Sequence, residues 1–475
     1  MSLLSATVTL AVLTTCQAAS PESPADRRFD ALVQRYVDEA PAMAPVSATL
    51  LGDHRFDGEL DQVNTASRAR ETAFCQECLA KLADVDREKL SRANQVDYAM
   101  LEHHLRARLW QLKELQQWAW DPLIYTELAG TSIYALTARN FAPLDQRLAR
   151  VADRLEQFPR LLEQVRATLN PKRVPKIHAE TAIKQNRGAL AVMDNMVKPH
   201  LEELPADERT RLTKAMATAR SAIERHQQWL ESELLPRAAG NFRIGAERFD
   251  EKLAFTLQTP TTRRQIRDRA EAQLRNVRNQ MYAIAKEVYR KQYPLTDFPG
   301  SAAGSGDAVP SDAYKQSIIR ACLELAYAEM PPRDKIVETA QQSLALATAF
   351  VREKDLVTVP PDPVDIILMP EFRRGVSIAY CDSPGPLDVG QKTFYAVAPL
   401  PEDWTAEQVH SFLREYNVRS LHNLTIHEAM PGHFLQIAHA NRYPGKLRAL
   451  LASGVFIEGW AVYSEMMMCD EGFLD

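Results

Sequence analysis

The amino-acid sequence predicts a mainly α-helical protein with one small β-sheet near its C-terminal end. Leu, Ala, Glu, Gln and Arg dominate the 475 residues while Gly occurs only 17 times, a composition that favours helices. Apolar residues also recur at intervals of three and four along most of the chain, as they do on the buried face of a helix. The stretch 357–401 departs from this pattern, because it is rich in Pro and contains short runs of β-branched and aromatic residues.

The charge balance argues against a nucleic-acid partner. The chain carries 57 basic and 62 acidic residues, for a formal net charge of -5. A nucleic-acid-binding surface normally needs a marked excess of basic residues. We therefore expect no nucleic-acid partner, and the composition does not indicate an oligomeric state.

The first 20 residues resemble a secretory leader. An apolar run over residues 3–15 is too short to span a bilayer and is followed by Cys16 and the small residues 18–20. The sequence Leu13-Thr14-Thr15-Cys16 also resembles a weak bacterial lipobox, which would make Cys16 a lipidated N-terminus and attach the protein to a membrane. The positive residues of a usual leader are missing, since the first basic residue is Arg27. We expect export, either to the periplasm or to a lipid-anchored position on the cell envelope.

Residues 21–355 are predicted to form a helical domain. Pro122 and Gly130 are expected to interrupt the helices, and Cys75 and Cys78 to lie on a helix surface. The aromatic stretch 118–134 is typical of a core or of a subsite wall, and His54 is expected to pack in a loop. Helices are predicted over residues 27–39, 64–115 with a division near 84–86, 143–169, 180–201, 205–234, 250–293, and as a pair over 312–352.

Residues 356–475 are predicted to contain the sheet and the functional site. Strands are expected over residues 364–368, 376–380 and 393–397, and the helical pattern returns at Thr405. The second part of this region contains His427-Glu428-Ala429-Met430-Pro431-Gly432-His433, followed by a helical run with Glu458 and Glu465. Two imidazoles with nearby carboxylates are the parts of a zinc hydrolase site.

The spacing of the two histidines differs from that of an ordinary HExxH helix. Six helical residues turn the chain by about 600°, which leaves His433 roughly 120° away from the face of His427. A straight helix could not bring both side chains to one ion. Pro431 and Gly432 offer a solution, because Pro ends the hydrogen-bond ladder and Gly accepts unusual dihedral angles. The site therefore requires that the helix end or bulge between the two histidines.

Catalytic zinc uses three protein ligands and one open position. We predict His427, His433 and Glu458 as the ligands, with Glu465 supporting a ligand histidine from behind; the two glutamates could exchange roles. Glu428 would act as the general base on a metal-bound water and then protonate the leaving amine. Tyr463 could donate to an oxyanion or lie in the core. His439 is the alternative ligand if His433 does not bind.

The sequence resembles the bacterial domain-of-unknown-function 885 family in two specific motifs near its C-terminus. The segment 427–433 is similar to the HExxPGH-type motif of the family, and the segment 458–465 to its EGWA-x-Y-x-E motif. Weaker matches lie at 51–54 and 243–249, so that the likeness extends from about residue 27 to the end. The resemblance implies a large helical, zincin-like metallopeptidase fold with a deep cleft, often exported or lipid-anchored.

Two departures from the family pattern affect the expected function. Phe434 stands where members often carry a second consecutive His, and the family's chains usually continue for roughly another hundred residues beyond the end of this one. We therefore expect a C-terminally truncated catalytic part whose activity is open. The leading hypothesis is a zinc-dependent peptidase acting on a peptide substrate. The alternatives are a catalytically silent protein that binds peptides or envelope components, and a metal-dependent hydrolase of non-peptide amides or esters.

Overall fold

A computed structural model describes residues 23–292, 310–375 and 377–474 of the chain. The predicted leader, including Cys16, lies outside the described residues, as does the Gly-rich segment 299–306. The described part is mainly helical with one small sheet, which confirms the predicted class. No helix in these three ranges is both long and apolar enough to cross a membrane.

Ten helices form the first part of the described chain. Several begin at a side-chain cap: the side chains of Ser23, Asn64 and Ser91 each accept a hydrogen bond from a backbone N–H of the first helical turn, which satisfies a donor that the helix itself cannot pair. The helices are α1 (Pro24–Glu39), α2 (Pro45–Leu50), α3 (Thr65–Ala83), α4 (Arg92–Trp110), α5 (Leu123–Thr137), α6 (Leu144–Glu156), α7 (Phe158–Thr168), α8 (Lys176–Asn186), α9 (Gly188–Val192) and α10 (Ala206–Trp229).

The largest apolar core lies among these helices. The buried faces of α5, α6, α7 and α10 meet there, with α6 and α7 both packed against α10. Arg154 is fully buried inside this core, where its guanidinium donates to the Ser132 carbonyl at 2.8 Å and to the Thr49 hydroxyl at 2.6 Å. These bonds compensate for burying a charge and join α2, α5 and α6.

A three-stranded sheet and nine further α-helices form the rest of the described chain. The strands are β1 (Val364–Leu368), β2 (Ala379–Asp382) and β3 (Thr393–Val397) in the order β1-β3-β2, with β1 parallel and β2 antiparallel to β3. β2 is therefore an edge strand. The helices are α11 (Ala246–Leu257), α12 (Arg263–Gln292), α13 (Asp312–Tyr327), α14 (Ile336–Glu353), α15 (Ala406–Glu415), α16 (Val418–Glu428), α17 (His433–Ala440), α18 (Lys446–Leu450) and α19 (Gly454–Asp470).

A second apolar core supports the predicted site. Buried side chains of α14, β2, β3, α16, α17 and α19 form it, and Tyr395, Phe434 and Met468 are among the most buried. Phe434, which replaces the histidine of many family members, is 1% exposed and packs in this core. The predicted boundary near residue 355 stays a prediction, although α14 shares this core with the metal-motif helices on the other side of that boundary.

Three predictions about the helical domain are wrong. Gly130 does not interrupt a helix, because α5 runs through it; a Cβ there would lie 2.3 Å from the ring of Phe372, so Gly serves for close packing. Cys75 and Cys78 are not on a helix surface but buried, 4% and 0% exposed, in the core that α3 forms with α1 and α4. The helix predicted over 250–293 is divided at residues 258–262, where Gln258 takes a positive φ of 52°.

Candidate metal centre

The first motif occupies the end of one helix and the start of the next. α16 begins after Asn417, whose side chain caps it, and ends at Glu428, so His427 lies in its last turn. The Gly432 N–H then donates to the Ile426 carbonyl at 2.9 Å, six residues back, and α17 starts at His433. This wider loop brings the two imidazoles together, with ring centroids 4.7 Å apart and ring planes at 83°. Because α16 ends before His433, the two histidines are not held roughly 120° apart, as they would be on one continuous helix.

Gly432 is required by packing at this junction. A Cβ on Gly432 would lie 2.0 Å from the His427 carbonyl oxygen and 2.3 Å from that of Ile426. Both atoms belong to the backbone of α16, so they cannot move aside without unwinding the helix that presents His427. A side chain at position 432 would therefore push the two histidines apart.

α19 brings a carboxylate to the two histidines. The Oε2 atom of Glu458 lies 3.5 Å from Nε2 of His427 and 3.7 Å from Nε2 of His433. One ligand atom from each residue lies within 4.8 Å of the others. Ligands at about 2.0–2.1 Å from a tetrahedral zinc ion are about 3.3 Å apart, so small side-chain movements would close this triangle around an ion. A donor set of two imidazoles and one carboxylate also suits zinc.

The second glutamate of α19 supports His427 from behind. The Oε1 atom of Glu465 lies 2.7 Å from Nδ1 of His427, and its Oε2 accepts a hydrogen bond from the Asn423 side chain at 2.9 Å. A carboxylate at Nδ1 keeps the proton there and leaves the lone pair of Nε2 facing Glu458 and His433. This geometry puts Glu458 in the ligand triangle and Glu465 behind it, the first of the two arrangements that the sequence left open.

His433 is the more buried of the two histidines. Burial, and then the neighbouring His427, lower the pKa of His433, which favours the neutral imidazole that a metal ion needs. Among the described residues no hydrogen-bond partner reaches its buried Nδ1. His433 is therefore held by its backbone and by packing rather than by a carboxylate.

Glu428 lies beside the triangle with its side chain almost fully buried. Burial raises the pKa of Glu428 to about 7; His427 and a hydrogen bond from the Cys381 backbone N–H oppose this shift, and Glu458 adds to it. A carboxyl group with a pKa near neutrality can both accept and return a proton. The position and protonation of Glu428 therefore suit a general base and acid.

The Cys381 backbone N–H, which lowers the pKa of Glu428, belongs to the edge strand β2 of the sheet. The Ala398 N–H donates to the Ile378 carbonyl at 2.7 Å, and Tyr380 pairs with Ala396 in the adjoining register. Because hydrogen-bonded and non-hydrogen-bonded pairs alternate in antiparallel strands, the backbone groups of Ala379 and Cys381 point away from β3. Glu428 therefore lies at the free edge of β2.

The link between the two ligand histidines is held by side chains that the sequence reasoning missed. The Trp460 indole N–H donates to the Pro431 carbonyl at 2.8 Å, and the Ser464 hydroxyl lies 3.3 Å from the same oxygen. Their four-residue spacing puts both on one face of α19, and Asn423 stands one turn before His427 in the same way. Helical spacing from the recognised motif residues was thus the signal that could have identified them.

The other candidate residues are not brought to the cluster. Tyr463 is 55% exposed, with its ring against Trp460, and by helical geometry it points about 140° away from Glu458. Its oxyanion role stays a prediction without geometric support. His439 contacts the Thr358 carbonyl at 2.8 Å instead. His54 packs in its loop, stacked on Phe141 and between Asp57 and Asp388.

The fold and the site together define a mainly helical protein with a His-His-Glu cluster beside the edge of a small sheet. The chain belongs to the family of bacterial proteins of unknown function DUF885, whose model matches residues 45–475. The resemblance seen in the two C-terminal motifs is thus confirmed.

Two solved structures are similar to this chain. One is "a putative lipoprotein of unknown function" from Shewanella oneidensis, with 30% identity, a TM-score of 0.71, and coverage of 96% of this chain and 78% of that one. The other is a "putative lipoprotein" from Colwellia psychrerythraea, with 15% identity, a TM-score of 0.68, and coverage of 95% and 79%, which shows a shared fold. No curated protein matches the chain.

Proposed function

We propose that this protein is a zinc-dependent peptidase with a zincin-like arrangement of its catalytic groups. The observation that carries the proposal is the convergence of His427, His433 and Glu458 within 4.8 Å, with the buried Glu428 next to them. Zinc, when bound, supplies Lewis acidity that polarises a carbonyl and acidifies water. The three ligands come from three separate helices, which is hard to explain by packing alone.

Glu428 performs the proton transfers in this proposal. It takes a proton from the attacking water and delivers it to the nitrogen of the leaving amine, so the peptide bond breaks as the new carboxyl group forms. Its burial beside the apolar second core keeps its basicity well above that of an exposed carboxylate.

The free edge of β2 favours a peptide over another amide or ester. An extended peptide can pair with a strand edge through backbone hydrogen bonds, and the Cys381 carbonyl points away from β3 at the edge of β2, next to Glu428. We expect the peptide to lie in a cleft between the α5–α10 core and the helices α16 to α19. Side-chain preference and the choice between internal and terminal cleavage depend on the ends of that cleft.

The decisive experiment combines metal analysis with one substitution. We expect one zinc ion per chain, and in Glu428→Gln the same zinc content with hydrolysis of a quenched-fluorescent peptide library reduced about 10²- to 10⁴-fold. Glu402→Gln, at an exposed residue away from the site, is the matched control and should change neither quantity. Absence of zinc, or full activity in Glu428→Gln, would reject the proposal.

The same assay distinguishes the alternatives. One zinc per chain without turnover of any peptide would indicate a silent binding protein. Turnover of ester or anilide substrates in place of peptides would indicate a hydrolase of another class.

We further infer that the protein is exported and attached to the cell envelope. The Shewanella oneidensis relative, described as a lipoprotein, and the lipobox-like sequence that ends at Cys16 support this inference. Labelling with a radioactive fatty acid in a bacterial host should mark the wild-type chain and not Cys16→Ser. Equal labelling, or none in either, would contradict the lipid anchor.

A further inference from the structure

We propose that Trp460 is a positioning residue of the metal centre, which sets the distance between His427 and His433 by holding the Pro431 carbonyl. The role deepens the proposed function, because it specifies what in this chain brings the two histidines to ligand distance. The indole N–H of Trp460 bonds to the backbone of residue 431 rather than to a ligand atom, so Trp460 would act through the segment 429–432.

The segment between the histidines has two anchors. Its Gly432 N–H bonds back to the Ile426 carbonyl at 2.9 Å, which ties it to α16. Its Pro431 carbonyl bonds to Trp460 at 2.8 Å, which ties it to α19. Proline has no N–H, so the carbonyl is the one backbone polar group through which residue 431 can be held. Removing the second anchor leaves this segment tied to α16 through Gly432 and to α19 only through the longer Ser464 contact.

α19 can set the separation of the two histidines because it contacts both α16, which carries His427, and α17, which carries His433. It packs along α16 and α17, and it presents Glu458 to both histidines and Glu465 to Nδ1 of His427. Trp460 lies between these two glutamates in sequence and is partly buried against the second apolar core. The helix that delivers the third ligand is thus the one that fixes the start of α17.

Ser464 is the weaker partner of Trp460 in this role. Its hydroxyl lies 3.3 Å from the Pro431 carbonyl but 2.9 Å from the Trp460 carbonyl, so its proton has a closer alternative acceptor within α19. The Pro431 residue is buried, and a buried carbonyl without a good donor is costly. The loss of the indole N–H should therefore have the larger effect, and the loss of the serine hydroxyl a smaller effect in the same direction.

The test uses Trp460→Phe, which keeps an aromatic ring but removes the N–H, in the full chain. Trp404→Phe is the matched control, since Trp404 packs edge-on to Phe412 at the margin of the same core. The first readout is amide hydrogen exchange at Gly432 in metal-free protein. The second is titration with Co²⁺ alone, which reports both affinity and, through its visible absorption spectrum, the geometry of the ligands.

We expect Trp460→Phe to accelerate exchange at Gly432 about 10-fold or more, to weaken Co²⁺ binding by about 10- to 100-fold and to change the Co²⁺ spectrum. Trp404→Phe should leave all three unchanged. Equal behaviour of the two variants would overturn the positioning role. If Trp460→Phe does not fold, amide exchange at Gly432 is measured in Ser464→Ala instead. Faster exchange would support the positioning role, and unchanged exchange would reject it.

This test can fail independently of the proposed function. If the wild-type chain binds no Co²⁺ or zinc, the proposed function is wrong, yet exchange at Gly432 still shows whether Trp460 holds the segment. If the wild-type chain binds metal and Trp460→Phe binds it equally well, the positioning role is wrong and the peptidase proposal stands.

Discussion

Two histidines of this molecule, His54 and His427, lie among carboxylates, and their surroundings differ in one decisive respect. His54 has a carboxylate at each ring nitrogen, Asp57 at 3.0 Å and Asp388 at 3.2 Å, and its ring stacks on Phe141 with centroids 3.7 Å apart. His427 has a hydrogen-bonded carboxylate at Nδ1 only, while Nε2 faces Glu458 and His433 together. In the first arrangement, both ring nitrogens of His54 are paired with carboxylates. The second leaves one lone pair directed at other ligands.

The comparison shows that the number of carboxylates near a histidine does not by itself identify a metal site. Burial lowers the pKa of His54, but the hydrogen bonds with Asp388 and Asp57 prevail and raise that pKa to about 9. A protonated imidazole has no lone pair for a metal ion. At His427 a second imidazole faces Nε2 in place of a second hydrogen-bonded carboxylate, and two imidazoles with one carboxylate are a donor set that suits zinc.

The largest expected effect comes from removing each histidine in turn. His427→Ala deletes one of three protein ligands and should weaken zinc binding by about 10³-fold or more, since zinc sites draw several kcal/mol from each ligand. His54→Ala should leave zinc affinity unchanged. Competition with a chromophoric chelator measures both. Equal losses of zinc affinity in the two variants would contradict the proposal that His427, and not His54, binds the metal.

Changing the carboxylate behind each histidine should give an intermediate effect. Glu465→Gln keeps the size of the side chain but weakens the acceptor for Nδ1 of His427, and we expect zinc affinity to fall about 10- to 100-fold. Asp57→Asn is the matched change at His54 and should alter stability rather than metal affinity. The same chelator competition, together with urea unfolding, separates the two outcomes. An unchanged zinc affinity in Glu465→Gln would mean that Glu465 does not orient the ligand.

The smallest expected effect is a pH dependence of stability that arises at His54. Because its folded pKa is raised from an ordinary value near 6.5 to about 9, protonated His54 stabilises the fold fully below pH 6.5, and this contribution is lost as the pH rises through 9. His54→Gln should lower the free energy of unfolding by about 2 kcal/mol at pH 6 and by less at about pH 9.5. Urea unfolding of both proteins at several pH values measures the difference.

A difference between wild type and His54→Gln that stays constant from about pH 6 to about pH 9.5 would contradict the assignment of His54 as a protonated ion-pair residue. Thr49→Ser provides a control, because it retains the hydroxyl that donates to Asp57 at 2.7 Å. It should keep the pH dependence of the wild type.

Much of the fold could be predicted because helices depend on local pattern. The periodicity of apolar residues identified α1, α3, α4, α13 and α14 and the strands β1 and β3, with errors mainly at their ends. The errors at Gly130 and at Cys75 and Cys78 have a common cause. Whether a glycine breaks a helix or admits the ring of Phe372, and whether a cysteine faces water or a core, depends on distant segments of the chain.

In the candidate site, too, some features followed from local sequence and others depended on contacts between distant segments. Residue type and spacing were enough to select His427, Glu428, His433 and Glu458, and the requirement that the helix end near Pro431 and Gly432 followed from the turn of about 100° per residue in an α-helix. Helical spacing could have identified Trp460 and Ser464 as candidates, but their contacts with the Pro431 carbonyl could not be predicted, since these form between α19 and the segment that joins α16 to α17. Tyr463 lies inside a recognised motif and is 55% exposed, so the motif alone does not give its role, which stays a prediction.

The sequence by itself therefore determined the helical class, the family and the chemical identity of the candidate ligands, because these depend on composition, periodicity and short motifs. Only the tertiary structure decided that Glu458 lies beside Nε2 of both histidines while Glu465 lies at Nδ1 of His427. The two glutamates are seven residues apart on nearly the same face of α19, so no local rule separates them. The packing of α19 against both α16 and α17 separates them, because it brings one glutamate to each side of His427.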